Sequence, residues 1–118
     1  MTCEYPDMRD PETFFRALSD ATRLRCLLLL LAEEQLCVCE FVHALDLSQP
    51  RVSRHLGHLR DLGIVTDERR GQWVHYSLSP DLPVWALEVL EAAFQAEALS
   101  DVRQRLAGMP NRPSISCN

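Results

Sequence analysis

The sequence predicts a mainly helical single domain with a two-stranded β-wing, and three patterns support this fold class. Apolar residues recur at helical spacing in several segments before residue 60 and in one long segment after residue 83. Between these segments, two runs rich in strand-forming residues flank Gly71. Capping residues and prolines mark where helices begin. We expect one domain over residues 1–118, of which about residues 10–107 are ordered.

The first two predicted helices begin at aspartates. Asp10 precedes Pro11, and because Asp caps helices and Pro fits their first turn, a helix is expected from here to about Leu18. A second helix is expected to begin near Asp20 and to end by Glu33. The side chains expected to face the core are Phe14, Phe15, Leu18, Leu24, Leu27, Leu28 and Leu31.

A helix-turn-helix unit is predicted next. A short third helix covers Glu40–Leu45, and Ser48 caps a fourth helix that Gly63 ends with a left-handed conformation. The apolar stripe of the fourth helix consists of Val52, Leu56 and Leu59.

Two strands and a final helix complete the predicted order. The strands are Ile64–Arg69 and Trp73–Leu78, and one long helix follows from about Pro83 to Leu106. This order is that of a winged helix-turn-helix, which places its recognition helix in the DNA major groove. The first and last helices carry more apolar residues than one small core requires, so we expect a dimer with these terminal helices at the interface.

The charge distribution favours DNA binding although the net charge is −5. Residues 48–75 carry five arginines and three acidic residues, so this segment is +2 and the remainder is −7. DNA responds to the local potential, because exposed charges more than about 10 Å away are largely screened. The chain contains no lysine, so all its basic side chains other than histidine are arginines. Arginine suits phosphate or guanine better than lysine does, because its guanidinium donates two parallel hydrogen bonds.

The residues expected to contact DNA lie at the start of the fourth helix, along its polar face and at the wing tip. A helix N-terminus approaches phosphates or base edges, and Arg54 is placed to fork a guanine. The alternatives are a merely solvated basic face and a solubilising hairpin tip. The candidates are Ser48, Gln49, Arg51, Ser53, Arg54, His55, Arg69, Arg70 and Gln72.

The five cysteines favour metal binding or thiol reactivity over disulfides, because the chain is expected to be cytoplasmic. No apolar run reaches the roughly 20 residues that a membrane span requires. Cys37 and Cys39 stand just before the helix-turn-helix, so an ion bound by both would disturb it; the alternative is two small core side chains. The other ligands left open are Cys3, Cys26, Cys117 and His43, with core packing the favoured role for Cys26 and surface exposure for the terminal cysteines.

Four motifs resemble the ArsR/SmtB family of bacterial metal-responsive repressors. They are Ala17–Arg25 (ALSDATRLR), Leu36–Glu40 (LCVCE), Leu47–Leu56 (LSQPRVSRHL) and Gly71–Tyr76 (GQWVHY). The segment LCVC is similar to the arsenite and antimonite branch in particular. The resemblance implies a homodimer that binds operator double-stranded DNA and leaves it when As(III) or Sb(III) binds Cys37 and Cys39, with no permanently bound cofactor.

The sequence departs from that branch at Val42, where members with this motif place a third cysteine. Two thiolates with an outside thiol, a hydroxide or one further ligand still suit a three-coordinate ion better than a closed four-ligand zinc site. Positions i and i+2 lie about 200° apart around a helix but share one face of an extended segment. We therefore expect an extended or distorted backbone from Cys37 to Cys39. Metalloid binding is expected to unwind the start of the third helix and to shift the recognition helix behind it.

Other functions fit parts of the sequence. A thiol redox or persulfide-sensing repressor of the same fold would release DNA on oxidation without any metalloid. A constitutive DNA-binding protein would ignore both. A thiol enzyme or metal carrier would need a base beside a low-pKa cysteine, or a Cys-x-x-Cys on a βαβ unit. Neither pattern is present in the sequence, so an enzyme is not expected.

Overall fold

The computed structural model describes residues 10–113, and the expectations for Cys3 and Cys117 lie outside this range. The elements in chain order are α1 (Pro11–Leu18), α2 (Ala21–Glu33), β1 (Gln35–Cys37), α3 (Val38–Leu45), α4 (Gln49–Asp61), β2 (Val65–Arg70), β3 (Trp73–Leu78), α5 (Val84–Ala96) and α6 (Ser100–Ala107). None of the helices within the described range combines the length and apolar character needed to cross a membrane.

Side-chain caps set the starts of three helices where the sequence predicted them. The Asp10 carboxylate accepts a hydrogen bond from the Thr13 backbone N–H, and Asp20 accepts one from that of Arg23. Ser48 caps α4 in the same way. Each of these contacts satisfies an N–H that the helix itself leaves without a partner. At the other end of α4, Gly63 has a φ of 82°, as predicted for a left-handed glycine.

The core lies between α2 and the elements that surround it. Cys26 and the four leucines that follow are buried in α2, and the predicted stripe of α4 is completely buried. Burying one such aliphatic side chain contributes roughly 1.5–3 kcal/mol. Burial of the α4 stripe therefore fixes the orientation of this helix and leaves its opposite, polar face to solvent.

The sheet has three strands, whereas the sequence predicted a two-stranded wing. The strand order is β1-β3-β2 with both pairs antiparallel, and β1 places Cys37 opposite His75 of β3. Strand β1 has only three residues, too few for an alternating pattern to be recognised. The third predicted helix also begins earlier than expected, at Val38, with Cys37 as its N-cap. The wing is therefore hydrogen-bonded directly to the cysteine segment.

The predicted single C-terminal helix is wrong, because the chain breaks between α5 and α6. Leu99 has a φ of 57°, a left-handed conformation that costs a non-glycine residue about 1–2 kcal/mol. The break allows α6 to pack against α3, which buries Leu99, Val102 and Leu106. Burial of three apolar side chains exceeds the strain at one residue. Arg105 Nε adds a hydrogen bond of 2.8 Å to the Ala44 carbonyl oxygen.

Phe15 does not face the core as predicted, since it is 51% exposed while its neighbour Phe14 is completely buried. Trp85 of α5 packs edge-to-face against Phe14, and its ring centre lies 6.3 Å from that of Phe15. Val84, at the start of α5, is 70% exposed. Helices α1 and α5 therefore present apolar side chains to solvent, at the terminal helices where the sequence predicted a dimer interface.

Candidate functional site

The two thiols of Cys37 and Cys39 lie in contact at the junction between β1 and α3. Their sulfur atoms are 2.9 Å apart, and both cysteines are free thiols. Cys37 is the N-cap, with φ −93° and ψ 167°, whereas Cys39 lies within the first turn of α3. The predicted extended backbone is therefore found only at Cys37. One extended residue is enough to bring the two sulfurs together. The 200° separation between positions i and i+2 applies only when both residues are helical, and the N-cap residue is not.

The environment of Cys37 holds it as a neutral thiol. Burial, followed by the hydrogen bond with Cys39, raises the pKa of the Cys37 thiol, and the nearby carboxylate of Glu40 acts in the same direction. The backbone N–H of Glu40 faces the Cys37 sulfur and opposes this effect. Cys37 is 1% exposed, whereas Cys39 is half-buried. An incoming ligand therefore reaches the pair from the side of Cys39.

A buried carboxylate holds the backbone at the pair. Glu40 is 0% exposed, and its Oε1 accepts a hydrogen bond of 2.8 Å from the Cys37 backbone N–H. Its Oε2 accepts one of 2.9 Å from Nε of Arg112, 72 residues further along the chain. The same guanidinium lies 3.5 Å from Glu33 at the end of α2. Arg112 therefore connects the segment after α6 to the backbone that positions Cys37.

The thiol pair opens onto a cavity of about 380 Å³ between α3, α4 and the base of the wing. Besides the two cysteines, the lining includes Val42 of α3, Gln49 at the start of α4, and Trp73 and Val74 of β3. The cavity thus touches the elements expected to contact DNA. Val42, which stands where the resembling branch has its third cysteine, lies on this cavity wall.

The described residues do not provide a third metal ligand for the pair. Between residues 10 and 113, no group of three or more His, Cys, Asp or Glu side chains is arranged to hold a metal ion. Cys26 is 0% exposed in the core, and burial raises the pKa of its thiol to about 12. His43 is exposed on α3. Two sulfurs are therefore the donor set that this part of the chain offers.

The polar face of α4 carries the helical candidates for DNA contact. Arg51 and Arg54 are exposed. Gln49 is also exposed, and its Nε2 donates a hydrogen bond of 3.1 Å to Oγ of Ser53. The Ser48 hydroxyl accepts from the Arg51 backbone N–H as the helix cap. These side chains lie together at the first two turns of α4, the end from which recognition helices contact bases.

The wing tip carries the other basic candidates. Arg69, Arg70 and Gln72 are exposed around the turn at Gly71, whose φ is 62°. Arg70 donates a hydrogen bond of 3.0 Å to Glu68. At the base of the wing, Arg60 of α4 donates one of 3.2 Å to Asp67 of β2. This contact joins the recognition helix to the wing, so the two basic surfaces are held in a fixed relation.

His55 is placed differently from the prediction that it contacts DNA. Its side chain is only 13% exposed, and Nε2 lies 3.8 Å from the Asp20 carboxylate at the start of α2. Burial lowers the pKa of His55, although the Asp20 carboxylate opposes this effect. The position lies three residues after the buried Val52, so the ring turns towards α2 rather than outward. The His55 side chain therefore offers little surface to DNA, and its contact with DNA stays a prediction.

Three parts of the site were not predicted from the sequence: Glu40, Arg112 and the wing residues that line the cavity. A signal for Glu40 existed, because Glu three residues after an N-cap is the capping-box pattern, here with Cys in place of Ser or Thr. Arg112 carried no such signal, because its partner is 72 residues distant. Trp73 and Val74 appeared only as strand residues until the pairing of β1 with β3 brought them beside the cysteines.

Comparison with known proteins assigns the family. Residues 20–67 match the sequence profile described as "Bacterial regulatory protein, arsR family". The chain is 50% identical to the arsenic resistance transcriptional regulator ArsR1 of Pseudomonas putida, over 91% of this chain and 87% of that protein. The chain belongs to the arsR family of bacterial regulatory proteins. This membership confirms the family predicted from the four motifs.

Other members of the arsR family agree with this assignment. The arsenical resistance operon repressor of Escherichia coli is 47% identical over 74% of each chain. The AntR antimony-specific transcriptional repressor has a similar structure, with a TM-score of 0.60 and 30% identity over 70% of this chain and 71% of that one. HlyU from Vibrio cholerae also has a similar structure, with a TM-score of 0.64 and 30% identity over 72% of this chain and 88% of that one. These arsR-family relatives confirm the helical fold with a wing, and those named as regulators agree with the expectation of a non-enzyme.

Proposed function

We propose that this arsR-family protein is a cytoplasmic, homodimeric repressor that releases operator DNA when As(III) or Sb(III) binds Cys37 and Cys39. The observation that carries the proposal is the contact of the two free thiols, 2.9 Å apart, on a cavity shared with α4 and the wing. Soft thiolate sulfur selects soft ions. The names of the relatives, arsenic resistance regulators and an antimony-specific repressor, support the same inducer class.

The binding chemistry exchanges oxygen for sulfur at a trivalent centre. Arsenous acid, As(OH)₃, reacts with two thiols to form two As–S bonds, while two As–O bonds break. Each hydroxide leaves as water with the proton of one thiol, and arsenic remains trivalent with one hydroxyl. No oxidant or further ligand is required, so the two-sulfur donor set is sufficient.

Binding requires only a small adjustment of the two sulfur atoms. Bonds of about 2.3 Å to one ion, as in zinc thiolates, place two sulfurs roughly 3.3–3.8 Å apart for bond angles between 90° and tetrahedral. The sulfurs lie 2.9 Å apart, so side-chain rotation alone brings both to bonding distance of one ion. Because Cys37 belongs to β1 and Cys39 to α3, an ion held by both sulfurs links the sheet to the helix. Unwinding of α3 is not needed to bring the sulfurs together.

Two routes connect the bound ion to the DNA-contacting elements. Cys37 pairs with His75 of β3, so the strand that carries this cysteine is hydrogen-bonded to the wing. Gln49 and Val42 share the cavity wall with the cysteines, so α4 and α3 meet the ligand directly. For strong release, the ligand must favour the DNA-free conformation by several kcal/mol.

The dimer is proposed to form through α1 and α5. Phe15 and Val84 are the large apolar side chains exposed within residues 10–113, at 51% and 70%. A symmetric interface buries each patch against its copy and pairs two recognition helices for a palindromic operator.

Fluorescence anisotropy on the protein's own upstream DNA tests the function. The reduced wild-type protein should bind this DNA and release it when arsenite or antimonite is added. Cys37→Ser and Cys39→Ser should bind DNA but fail to release it. The control Cys26→Ala, which removes a thiol from the core, should respond as the wild type does. Release by oxidant without metalloid would instead support the redox alternative, and binding that ignores every inducer would refute the proposal.

A further inference from the structure

The preference of the thiol site among forms of arsenic rests on the proposed function. We propose that the preferred inducer is a trivalent arsenical with one organic substituent, R–As(OH)₂. Cys37 and Cys39 replace its two oxygens, and the organic group lies in the cavity beside them. Three observations support this: the number of sulfurs, the size and lining of the cavity, and the position of Val42.

The number of sulfurs matches the valence of such a compound. Inorganic As(III) has three exchangeable oxygens, and two thiols leave one of them on arsenic. In R–As(OH)₂ the carbon occupies the third position, so two thiols complete the exchange: two As–O bonds break, two As–S bonds form, and two waters leave with the thiol protons. The As–C bond stays intact and arsenic remains trivalent. Two sulfurs are also what the described residues bring together.

The cavity has room for the organic group. Its volume of about 380 Å³ exceeds the roughly 150 Å³ of an engineered apolar cavity that holds benzene. Val38, Val42, Trp73 and Val74 provide most of the wall beyond the cysteines. The polar side chains on the wall are the amides of Gln49 and Gln72, and against the remaining apolar wall a methyl or phenyl group loses contact with water.

Val42 occupies the place from which a third sulfur would come. It lies one turn after Cys39 on α3 and lines the same cavity. An apolar branched side chain at this position removes a donor and adds apolar surface. Both changes favour a carbon substituent on arsenic over a third oxygen or sulfur.

The organic group would also strengthen the release of DNA. Gln49 at the start of α4 and Trp73 at the start of β3 both line the cavity. An organic group in the cavity makes contacts with both elements that a hydroxyl on arsenic does not make. Release should therefore become more sensitive from hydroxyl to methyl to phenyl.

Release midpoints from operator DNA test the proposal, with arsenite, methylarsonous acid and phenylarsine oxide as the probes. Binding of each to a free dithiol, measured beside the protein, corrects for the intrinsic affinity of two thiols. After this correction, phenylarsine oxide should release wild-type protein at a concentration at least tenfold below that of arsenite. Methylarsonous acid should lie between the two.

Substitutions at one position separate the cavity from the thiols. Val42→Cys should lower the arsenite midpoint at least tenfold without improving phenylarsine oxide, whose valences are already filled. Val42→Phe should remove the preference for the phenyl compound, whereas Val42→Ala should retain it. Direct titration of Trp73 fluorescence in a Trp85→Phe background reads binding independently of DNA, so the test does not depend on how a variant binds its operator.

The outcomes are distinguishable from those of the proposed function. Corrected wild-type midpoints that are equal, or lower for arsenite, would overturn the organic preference and leave an inorganic arsenic sensor. Failure of all three arsenicals to release DNA would refute the proposed function itself.

Discussion

Arg112→Ala should destabilise the protein far more than an ordinary surface substitution. The Arg112 side chain is 11% exposed and donates to Glu40, which is 0% exposed, and it also lies 3.5 Å from the half-buried Glu33. Removing one partner of a buried pair typically costs about 3–5 kcal/mol, because a charge remains in the interior without its counter-ion. The carboxyl group can escape by taking up a proton, which sets an upper limit on the loss. Protonating a glutamate of ordinary pKa near 4.3 costs about 3.7 kcal/mol at pH 7.

We therefore expect Arg112→Ala to lower the free energy of unfolding by about 3 kcal/mol at pH 7 in urea. At pH 5 protonating this carboxyl group costs only about 1 kcal/mol, so the loss of unfolding free energy should shrink as the pH is lowered. Arg70→Ala is the matched control, because Arg70 pairs with Glu68 at the surface, with side chains 44% and 67% exposed. Exposed pairs contribute about 0–1 kcal/mol.

A double-mutant cycle isolates the interaction between the two side chains. Glu40→Gln keeps an oxygen that accepts from the Cys37 N–H, and it removes the charge. The double variant should be more stable than the sum of the single losses predicts, with a coupling of about 2 kcal/mol or more. A loss for Arg112→Ala equal to that of Arg70→Ala, or a coupling near zero, would refute the assignment of Arg112 as the counter-ion of the sensor segment.

Three further outcomes are expected. Arg54→Ala should weaken operator binding by about 1–3 kcal/mol and relax base preference at one position, read by anisotropy on single-base operator variants; an equal loss on every sequence would indicate a phosphate contact. Because burial lowers the pKa of His55 while Asp20, Arg23, Arg51 and Arg54 surround it, unfolding by urea should become easier as the pH falls from about 6.5 through the lower folded pKa. His55→Gln should not lose stability over this pH range. If the unfolding free energy of both proteins changes equally with pH, other groups are responsible. Phe15→Asp and Val84→Asp should shift sedimentation from dimer to monomer with unchanged helical circular dichroism; dimers that persist in both variants would place the interface elsewhere.

Local signals predicted most of the helices because their causes are local. Asp10, Asp20 and Ser48 each cap a helix within three residues, and Gly63 ends one. The stripe of α4 followed from 3.6-residue periodicity alone. The break at Leu99 could not be predicted in this way, because the apolar period continues through it and the conformation is stabilised by contacts with α3.

The candidate site divides along the same line. The sequence placed Cys37 and Cys39 two residues apart and identified their soft-ion chemistry, because sulfur chemistry belongs to the residue type. It could not determine that Cys37 would be an N-cap, and the sulfur contact of 2.9 Å depends on that conformation. The sequence also could not show whether Cys26 or His43 joins the pair as a ligand. In the structure Cys26 is buried in the core and His43 is exposed on α3.

By itself, the sequence determined the family, the helix-turn-helix and the thiol pair, since motifs, caps and periodicity act over a few residues. Only the tertiary structure decided that β1 joins the cysteines to the wing, that Arg112 holds Glu40, and that Val42 and Trp73 line one cavity with the thiols. Each of these depends on residues brought together from distant parts of the chain, and the burial and pairing that unite them are properties of the packed fold rather than of any segment.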